Sequence, residues 1–543
     1  MVFARRSTTL LAAIIASCAM VLSLTACTSD NKTVVDGQTT VTSNSAGGVA
    51  VFTPSDGITL NQQTPLNKWA KLVPDLAKAL ADAGFKKGDI DHTTSDSLAK
   101  QSRAIQDFVV DHLSNNTTDD SGIAIAPDNM TLLVAPVVEA DASTRQYGDY
   151  VSQNLSTNDA TDGEATSDGE SSEDDSSKDD SSNTESDSTA SDEQAQAVDR
   201  LVSSLKLAKE SGMHVVLLGN SIEGYKPDAF VKFSDAQTIG KLQAEKMVSK
   251  LKLDKASKDN PKYIEVLLPY TAVDEKGNAN DSTFAQEAFR GIWQVLGSYY
   301  QKGVVESPSG TLDGKSTEND WQAVAYDAAK EGSTAKVLDK RLAKTDGQST
   351  LTRIDGIITM NDYIASEVVK ELDDLGYTGS AADINPQITI SGIVGNITGK
   401  KDLSRDAVPD PIKSPENDNA NDSSSSDDDA DEDTSASDKD RDSQWPLVTG
   451  YGAYVSNIPS IVNGKQWMTG MEDRQTIATD IAQACAKLNK DEALNSMPSI
   501  RNSEVVGVKK IPTISEPLLA VSASNLKSAL IDPGYISLAD AGL

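Results

Sequence analysis

Few residues in the sequence are of the types and spacings that do chemistry. The three histidines, His92, His112 and His214, lie far apart, and three cysteines supply neither a disulfide framework nor a four-cysteine zinc site. The sequence contains no phosphate-binding glycine loop, no nucleophile elbow and no His-Glu-x-x-His motif. Residues 274–280 resemble a calcium loop but lack its terminal glutamate. We therefore predict that the protein is not an enzyme and uses no cofactor or metal.

Cys27 is the cysteine whose surroundings predict a chemical modification. Two arginines precede an apolar stretch over residues 10–24, and the sequence Leu-Thr-Ala leads directly into Cys27. This arrangement is typical of a bacterial lipoprotein signal, and the apolar stretch is too short to span a membrane comfortably. We predict that residues 1–26 are removed, that Cys27 is lipidated, and that residues 27–47 form a flexible tether. The protein would then be extracytoplasmic and anchored to the cell membrane.

Short apolar runs alternate with segments of helical period from residue 48 onward. Continuous apolar strands suit parallel sheets that are covered on both faces, and their alternation with helices indicates doubly wound α/β lobes. In such sheets the ligand lies beyond the carboxyl ends of the strands, so site residues are expected just after each run. The strand candidates are residues 49–52, 123–126, 215–218, 263–268, 354–359, 388–394 and 447–451.

The charge of the chain is strongly acidic and unevenly distributed. Its 82 Asp and Glu against 49 Lys and Arg give a net charge of −33, which argues against nucleic acid as a partner because phosphate binding needs clustered Lys and Arg. Residues 156–195 and 414–444 carry net charges of −13 and −10 and hold almost no aliphatic or aromatic side chains. Such stretches cannot bury enough apolar surface to offset chain entropy, so we predict that both are disordered.

Several segments, in order along the chain, resemble sugar-type periplasmic binding proteins of ABC importers. Thr-Pro-Leu-Asn-Lys-Trp at residues 64–69 is similar to their opening, and the sequence at residues 354–362 is similar to a strand that ends in an Asn-Asp pair. By this resemblance the nearest relatives are xylose-, galactose/glucose- and multiple-sugar-binding lipoproteins. The remaining matching segments are residues 230–235, 240–245, 289–292, 445–450, 464–469, 508–512 and 532–535.

The resemblance implies a type 1 periplasmic binding protein fold, with two doubly wound parallel-sheet lobes joined by three hinge crossings. A ligand that contacts both lobes would stabilise the closed state, which an ABC permease would recognise. The acidic stretches would be surface insertions, at about residues 153–196 and 401–444. The amino-terminal lobe would comprise residues 48–258 and 472–504, and the carboxyl-terminal lobe would comprise residues 259–471 and 505–543.

Four residues of this sequence match ligand-binding positions of the family. Trp69 stands where the family has an aromatic residue in its first lobe, and Lys68 stands where a basic residue is common. Asn361 and Asp362 match the Asn-Asp pair. Purely structural roles stay open for two of these residues. Trp69 also suits a helix packed on the core, and Asp362 also suits the amino-terminal cap of the following helix.

Elsewhere the sequence departs from the family, and the departures predict an unusual crevice. Where the family has Asp-Arg after the strand at 215–218, this chain has Gly-Asn, ending in Asn220. Tyr326 lies where the family often has Arg-Trp, and Tyr451 and Tyr454 lie where it has Gln-Asp-Ala. We include these four residues in the predicted ligand site, although the tyrosines also suit a core. The crevice should be less charged and more aromatic than that of an aldose-binding protein.

These observations favour a membrane-anchored, monomeric solute-binding lipoprotein that captures a sugar or an atypical sugar-like molecule by hinge closure. The alternative is a surface sensory or interaction protein that keeps the scaffold, has a degenerate ligand pocket and contacts partners through its acidic insertions. Ligand-dependent thermal stabilisation is expected of the first and not of the second.

Overall fold

The structure is a computed structural model of the chain, which divides into two compact units, Met1–Asn44 and Ser45–Leu543. In the first unit, Val34–Val35 pairs antiparallel with Gln38–Thr39. Cys27, the strand candidate at 388–394 and the second acidic insertion lie outside the described residues. The structure describes residues 34–35, 38–39, 46–55, 65–115, 125–138, 144–151, 153–156, 184–273, 279–343, 351–381, 445–505 and 507–542.

The amino-terminal lobe is built on five parallel strands. They are β1 (Gly48–Pro54), β2 (Ile90–Ser95), β3 (Met130–Val134), β4 (His214–Leu218) and β5 (Ala229–Val231). In the sheet they follow the order β5-β4-β3-β1-β2. β3, with the sequence Met-Thr-Leu-Leu-Val, is buried at every residue because helices cover both faces of the sheet.

Three helices cover this first sheet, α1 (Trp69–Asp82), α2 (Leu98–Asn115) and α3 (Thr184–Glu210). The buried residues of α1 recur every three or four positions, which places them on one face against the sheet. α2 and α3 pack together on the opposite face. Because α3 begins at Thr184, the prediction of a disordered insertion through residue 196 is wrong for its last part, which is helical.

The carboxyl-terminal lobe contains a second parallel sheet. Its strands follow the order β7-β6-β8-β9-β10, and the interior strand β9 is buried at every residue. These strands are β6 (Lys262–Val266), β7 (Val305–Glu306), β8 (Gly356–Ile358), β9 (Leu447–Tyr451) and β10 (Met468–Met471). The helices are α4 (Ala236–Leu251), α5 (Thr283–Gln301), α6 (Trp321–Val324), α7 (Ser333–Arg341), α8 (Asp362–Leu375) and α9 (Ile458–Val462).

The end of the chain contributes to both lobes. α10 (Arg474–Leu488) packs beside α1 in the amino-terminal lobe. β11 (Ile500–Val505) and β12 (Val508–Ile514) then extend the first sheet, where β12 lies parallel to β5. β13 (Leu519–Ser522) joins the second sheet antiparallel to β10. The predicted two-lobe, doubly wound α/β fold is therefore confirmed by the sheet topology.

The crossings between the lobes lie at residues 232–235, 472–473 and 515–518, and two of the three differ from the predicted boundaries. The first was expected near residue 258, but α4 packs on α5 and the second sheet, so it belongs to the carboxyl-terminal lobe. The third was expected near residue 505, but β12 pairs within the first sheet.

Two differences concern single strands. The strand expected at residues 123–126 is absent from its described part, residues 125–126, and β3 forms a few residues later at Met130–Val134. β2 was not predicted. Among the described helices, none has the length and apolar character that crossing a membrane requires.

Candidate functional site

Trp69 and Lys68 lie at the start of α1, at the carboxyl edge of the first sheet. The Trp69 ring is only 3% exposed and packs edge-on against Tyr150 and Phe233, with ring centroids 5.1 and 5.7 Å away. Lys68 Nζ donates to Asp149 Oδ1 at 2.7 Å. The two predicted first-lobe site residues are thus together, but both are engaged by the chain itself.

The partners of Trp69 and Lys68 belong to a segment that we call the crevice segment, residues 144–151. Its middle is a short 3-10 turn, Arg145–Tyr147. The Asp149 N–H donates to the Asn67 carbonyl oxygen at 2.8 Å, and the Tyr150 hydroxyl donates to the Lys68 carbonyl oxygen. These bonds fix the segment to the start of α1.

Tyr147, in the middle of the crevice segment, points away from α1 toward the second lobe. Its ring lies 4.7 Å from that of Phe284 and 6.2 Å from that of Tyr451, and the residue is 1% exposed. Burial raises the pKa of its hydroxyl, and the neighbouring Asn361 side chain partly offsets this. Tyr147 therefore occupies space that is bordered by predicted second-lobe site residues.

Asn361 and Tyr454 contact the same segment from the second lobe. Asn361 Nδ2 donates to Gln146 Oε1 at 3.0 Å, while its Oδ1 accepts the Ile364 N–H at 2.9 Å as the amino-terminal cap of α8. The Tyr454 hydroxyl donates to the Gln146 carbonyl oxygen at 2.7 Å. The crevice segment thus lies between Trp69 on one lobe and Asn361 on the other.

Asp362 is fully buried in the second lobe, and its carboxylate accepts three hydrogen bonds from protein groups. Oδ1 accepts from Gln466 Nε2 at 2.7 Å, and Oδ2 accepts from the Tyr454 N–H and the Thr469 hydroxyl, each at 2.9 Å. Burial raises its pKa to about 6, although these hydrogen bonds act to lower it. In this conformation Asp362 organises the loop after β9, and the capping role that the sequence suggested for it is taken by Asn361.

Tyr451 lies at the end of β9, where it joins two of the hinge crossings. Its hydroxyl is 2.5 Å from the Ser234 hydroxyl and donates to Glu472 Oε1 at 3.5 Å. Glu472 Oε1 also accepts the Ser234 N–H at 2.6 Å. Burial raises the pKa of Glu472 to about 7 and that of Tyr451 well above its usual value. The cluster of Ser234, Tyr451 and Glu472 is a hinge element that the sequence did not indicate.

Asn220 follows β4, as predicted, but it is buried within the first lobe. Its Nδ2 donates to the Pro136 carbonyl oxygen and its Oδ1 accepts the Gln153 N–H, both at 2.9 Å. Both polar ends of the side chain therefore connect loops at the carboxyl edge of the sheet. A ligand contact for Asn220 stays a prediction.

Tyr326 borders a pocket of about 550 Å³ at the carboxyl edge of the second sheet. Residues 268–269 continue from β6 and pair in parallel with Ala325–Tyr326, so the residues that follow each pair form the pocket wall. The Tyr270 and Trp321 rings stand edge to face, 5.1 Å apart, and Thr271 Oγ1 donates to Asp327 Oδ1 at 2.9 Å. Ser282 and Gln322 also line the pocket.

The sequence did not single out Tyr270 or the crevice segment. The one available signal for Tyr270 was its place directly after an apolar run, where ligand residues of parallel sheets concentrate. The crevice segment carried a tyrosine on either side of Gly148-Asp149 but belonged to no predicted element. Among the described residues, no group of His, Cys, Asp and Glu is arranged to hold a metal ion.

Comparison with known proteins gives structural neighbours only, since no protein-family profile and no curated protein matches the chain. It is similar to an ABC transporter solute-binding protein from Clostridium phytofermentans with bound β-D-glucose, at 17% identity and a TM-score of 0.43, over 91% of this chain and 99% of that one. It is also similar to a carbohydrate transporter solute-binding protein from Chloroflexus aurantiacus in complex with D-glucose, at 18% identity and a TM-score of 0.43, over 92% of this chain and 98% of that one. A third neighbour is a periplasmic ribose ABC transporter protein from Conexibacter woesei, at 13% identity and a TM-score of 0.42, over 90% of this chain and 96% of that one.

These neighbours are of the class that the sequence resemblance names. At such identities and TM-scores the sugars named for them remain properties of those proteins.

Proposed function

We propose that the protein is a membrane-anchored solute-binding lipoprotein of an ABC transporter, and that it captures a sugar or sugar-like molecule in a pocket beside the crevice between its two lobes. The observation that carries this proposal is the pocket beside the crevice, because it combines aromatic faces with hydrogen-bonding edges. Trp321 and Tyr270 offer apolar ring surface, and Thr271, Asp327 and Gln322 offer donors and acceptors. This is the combination that a ring with C–H faces and hydroxyl edges needs.

The pocket also has the right place in the fold for a hinge protein. It lies beyond the carboxyl ends of the second sheet, where doubly wound folds bind their ligands. Ser282 lines it, and Phe284, two residues further along the chain, contacts Tyr147 of the crevice segment. A solute in this pocket would therefore lie next to the contact between the lobes, from which its binding can influence closure.

Ligand binding is tested by calorimetry and thermal denaturation with glucose, galactose, xylose and their methyl glycosides. A sugar that binds the wild-type protein should bind Trp321→Leu at least about tenfold more weakly, a loss of about 1.4 kcal/mol. Trp467→Leu is the matched control, because Trp467 is similarly buried in the same core but lines no part of the pocket. Silence of the wild-type protein across the sugars, or equal weakening by both substitutions, contradicts the proposal.

Anchoring and export are tested separately through Cys27. In a bacterial host, the wild-type protein should partition into the membrane fraction and incorporate a labelled fatty acid. Cys27→Ala should lose the label, because the thiol is the atom to be acylated. A labelled Cys27→Ala variant contradicts the lipoprotein assignment. Copurification of the wild-type protein with an ATP-driven permease would support the expected partner.

The second candidate function, a sensory or interaction protein with a degenerate pocket, is favoured by one observation. The crevice segment fills the space that the family resemblance reserves for a solute, and Trp69 is covered by Tyr150 and Phe233. If this candidate is right, deletion of residues 414–444 should abolish capture of a partner protein. If the first is right, the deletion should leave sugar binding unchanged.

A further inference from the structure

We infer that the crevice segment, residues 144–151, is an internal occupant of the interlobe crevice, which keeps the two lobes together while no solute is bound. This inference builds on the proposed function, because it assigns the central crevice to the chain itself and leaves the pocket of Trp321 and Tyr270 for the solute.

On the side of the first lobe, the segment is bound by charge, main-chain and aromatic contacts. Asp149 accepts from Lys68 Nζ at 2.7 Å through Oδ1 and from the Trp69 N–H at 3.1 Å through Oδ2. Asp149 thereby satisfies one of the free N–H groups at the start of α1, where a negative charge is also favourable. The Tyr150 ring covers the Trp69 ring. These are the groups that an external ligand would otherwise meet.

On the side of the second lobe, the segment uses residues from three separate elements. Gln146 is bound through its side chain by Asn361, at the start of α8, and through its carbonyl oxygen by the Tyr454 hydroxyl. The Tyr147 ring packs against Phe284, in the first turn of α5. A segment with hydrogen bonds to both lobes does what a bound ligand does in a hinge protein, since it stabilises the closed state.

Gly148 allows this fit. Its φ of +97° lies in the left-handed region that favours glycine. A Cβ atom at this position would lie 2.5 Å from the Asn67 carbonyl oxygen and 2.7 Å from the Asn67 Cβ atom. Any side chain at residue 148 would therefore push the segment away from the start of α1 and out of the crevice.

The covalent connection gives the segment an advantage over a free ligand. It lies between β3 and Asn154–Leu155, which pairs in parallel with Ser221–Ile222 of the same lobe, so both of its ends belong to the first lobe. Binding of a tethered group is intramolecular, with an effective concentration on the order of millimolar for short flexible linkers. The lobes should therefore be closed in the absence of solute.

The inference is tested by double electron–electron resonance without any solute. Spin labels are placed at Lys100→Cys on α2 and Lys330→Cys on the second lobe, both exposed positions, in the full-length detergent-solubilised chain with Cys18→Ser and Cys27→Ser. Cys485 is fully buried and stays unlabelled. The labelled protein should give one narrow distance distribution. A broad or bimodal distribution without solute overturns the inference.

The decisive variants are Tyr147→Ala and Gly148→Ala, each compared with Tyr225→Ala. Tyr225 is similarly buried, and the described residues of the core cluster that contains it all belong to the first lobe. Both crevice variants should shift and broaden the distance distribution, while Tyr225→Ala should leave it as it is. Unchanged distributions in both crevice variants overturn the inference.

Hydrogen exchange of the unmodified protein provides a test that does not depend on folded variants. The Asp149 amide should exchange as slowly as amides at the edge of the first sheet, because it is bonded to the Asn67 carbonyl oxygen. Exchange at the rate of an unstructured peptide overturns the inference. Failure of every sugar to bind contradicts the proposed function but changes neither experiment, so the two failures are distinguishable.

Discussion

The hinge cluster makes folding stability depend on pH through Glu472, and this dependence can be isolated with Glu472→Gln. Glu472 is fully buried at the second crossing, where it accepts the Ser234 N–H at 2.6 Å. Burial raises its pKa from 4.5 to about 7, opposed by hydrogen bonds from Ser234 and Tyr451, while nearby Asp235 raises it further. Glutamine keeps the acceptor oxygen and the shape of the side chain but does not titrate.

The direction of this pH dependence follows from the pH range in which only the folded protein holds the proton. Below pH 4.5 Glu472 is protonated in both the folded and the unfolded protein, and its raised pKa gives its full stabilising contribution. As the pH rises toward 7, the unfolded chain ionises while the folded protein still holds the proton, so this contribution is lost. The difference between 4.5 and about 7 corresponds to about 3 kcal/mol, of which about 2.5 kcal/mol is lost between pH 5 and pH 8.

The assay is urea unfolding of both proteins at pH 5, 6, 7 and 8, with linear extrapolation of the free energy of unfolding. The wild-type protein should lose about 2.5 kcal/mol relative to Glu472→Gln between pH 5 and pH 8. Glu210→Gln, at the exposed end of α3, is the control and should run parallel to the wild type. If the free energies of unfolding of the wild type and Glu472→Gln change in parallel with pH, the reasoning is refuted.

Two further predictions concern the second lobe. Arg341→Met should lower the free energy of unfolding, measured with urea, by about 3–5 kcal/mol. The reason is that the substitution removes the guanidinium 3.4 Å from the fully buried Glu265. A loss below about 1 kcal/mol would contradict this prediction. Gly291→Ala should destabilise the protein by about 1–3 kcal/mol, because the added Cβ would lie 2.0 Å from the Gln237 carbonyl oxygen on α4. A variant as stable as the wild type would contradict this, because it would show that α4 and α5 can move apart without cost. Gln294→Gly, at an exposed position of the same helix, is a control for helix propensity alone.

The fold was predictable wherever burial on both faces of a sheet leaves a continuous apolar run. β9 at Leu447–Tyr451 matches its predicted range, and β4 and β6 agree to within a few residues. β2 escaped prediction because it is an edge strand whose residues Asp91 to Thr94 are polar and mostly exposed, so its sequence carries no apolar run.

The lobe boundaries could not be predicted from periodicity. A helical pattern shows that α4 has a buried face but not which sheet covers it. The answer depends on close approach of two helices at Gly240 and Gly291, where an added Cβ would lie 2.2 Å from the Ala288 carbonyl oxygen and 2.0 Å from that of Gln237. Both glycines lie in segments that matched the family resemblance, but their contact is a tertiary property.

The candidate site was predicted in part. Asn361, Tyr451 and Tyr454 do gather at the carboxyl edge of the second sheet, and Lys68 and Trp69 lie at that of the first. What stands between them was not predictable, because residues 144–151 follow neither a helical nor a strand period. Their position depends on pairs such as Gly148 with Asn67, which are distant in sequence.

The internal occupant also accounts for the departures of this sequence from the family pattern. A free sugar offers many hydroxyls, so its site needs charged partners that strengthen those bonds. Toward the second lobe, the crevice segment instead offers the Gln146 side chain and carbonyl oxygen and the Tyr147 ring. Asn361, Tyr454 and Phe284 contact these groups without an arginine. At Gly219, where the family has an acidic residue, an added Cβ would lie at ordinary contact distance, 3.6 and 3.5 Å, from ring atoms of Trp69 and Phe233. On the side of the first lobe the segment brings its own charge, Asp149, which pairs with Lys68. A second-lobe side lined by tyrosines and asparagine, without an arginine, therefore suits an interlobe space that is filled by the chain itself.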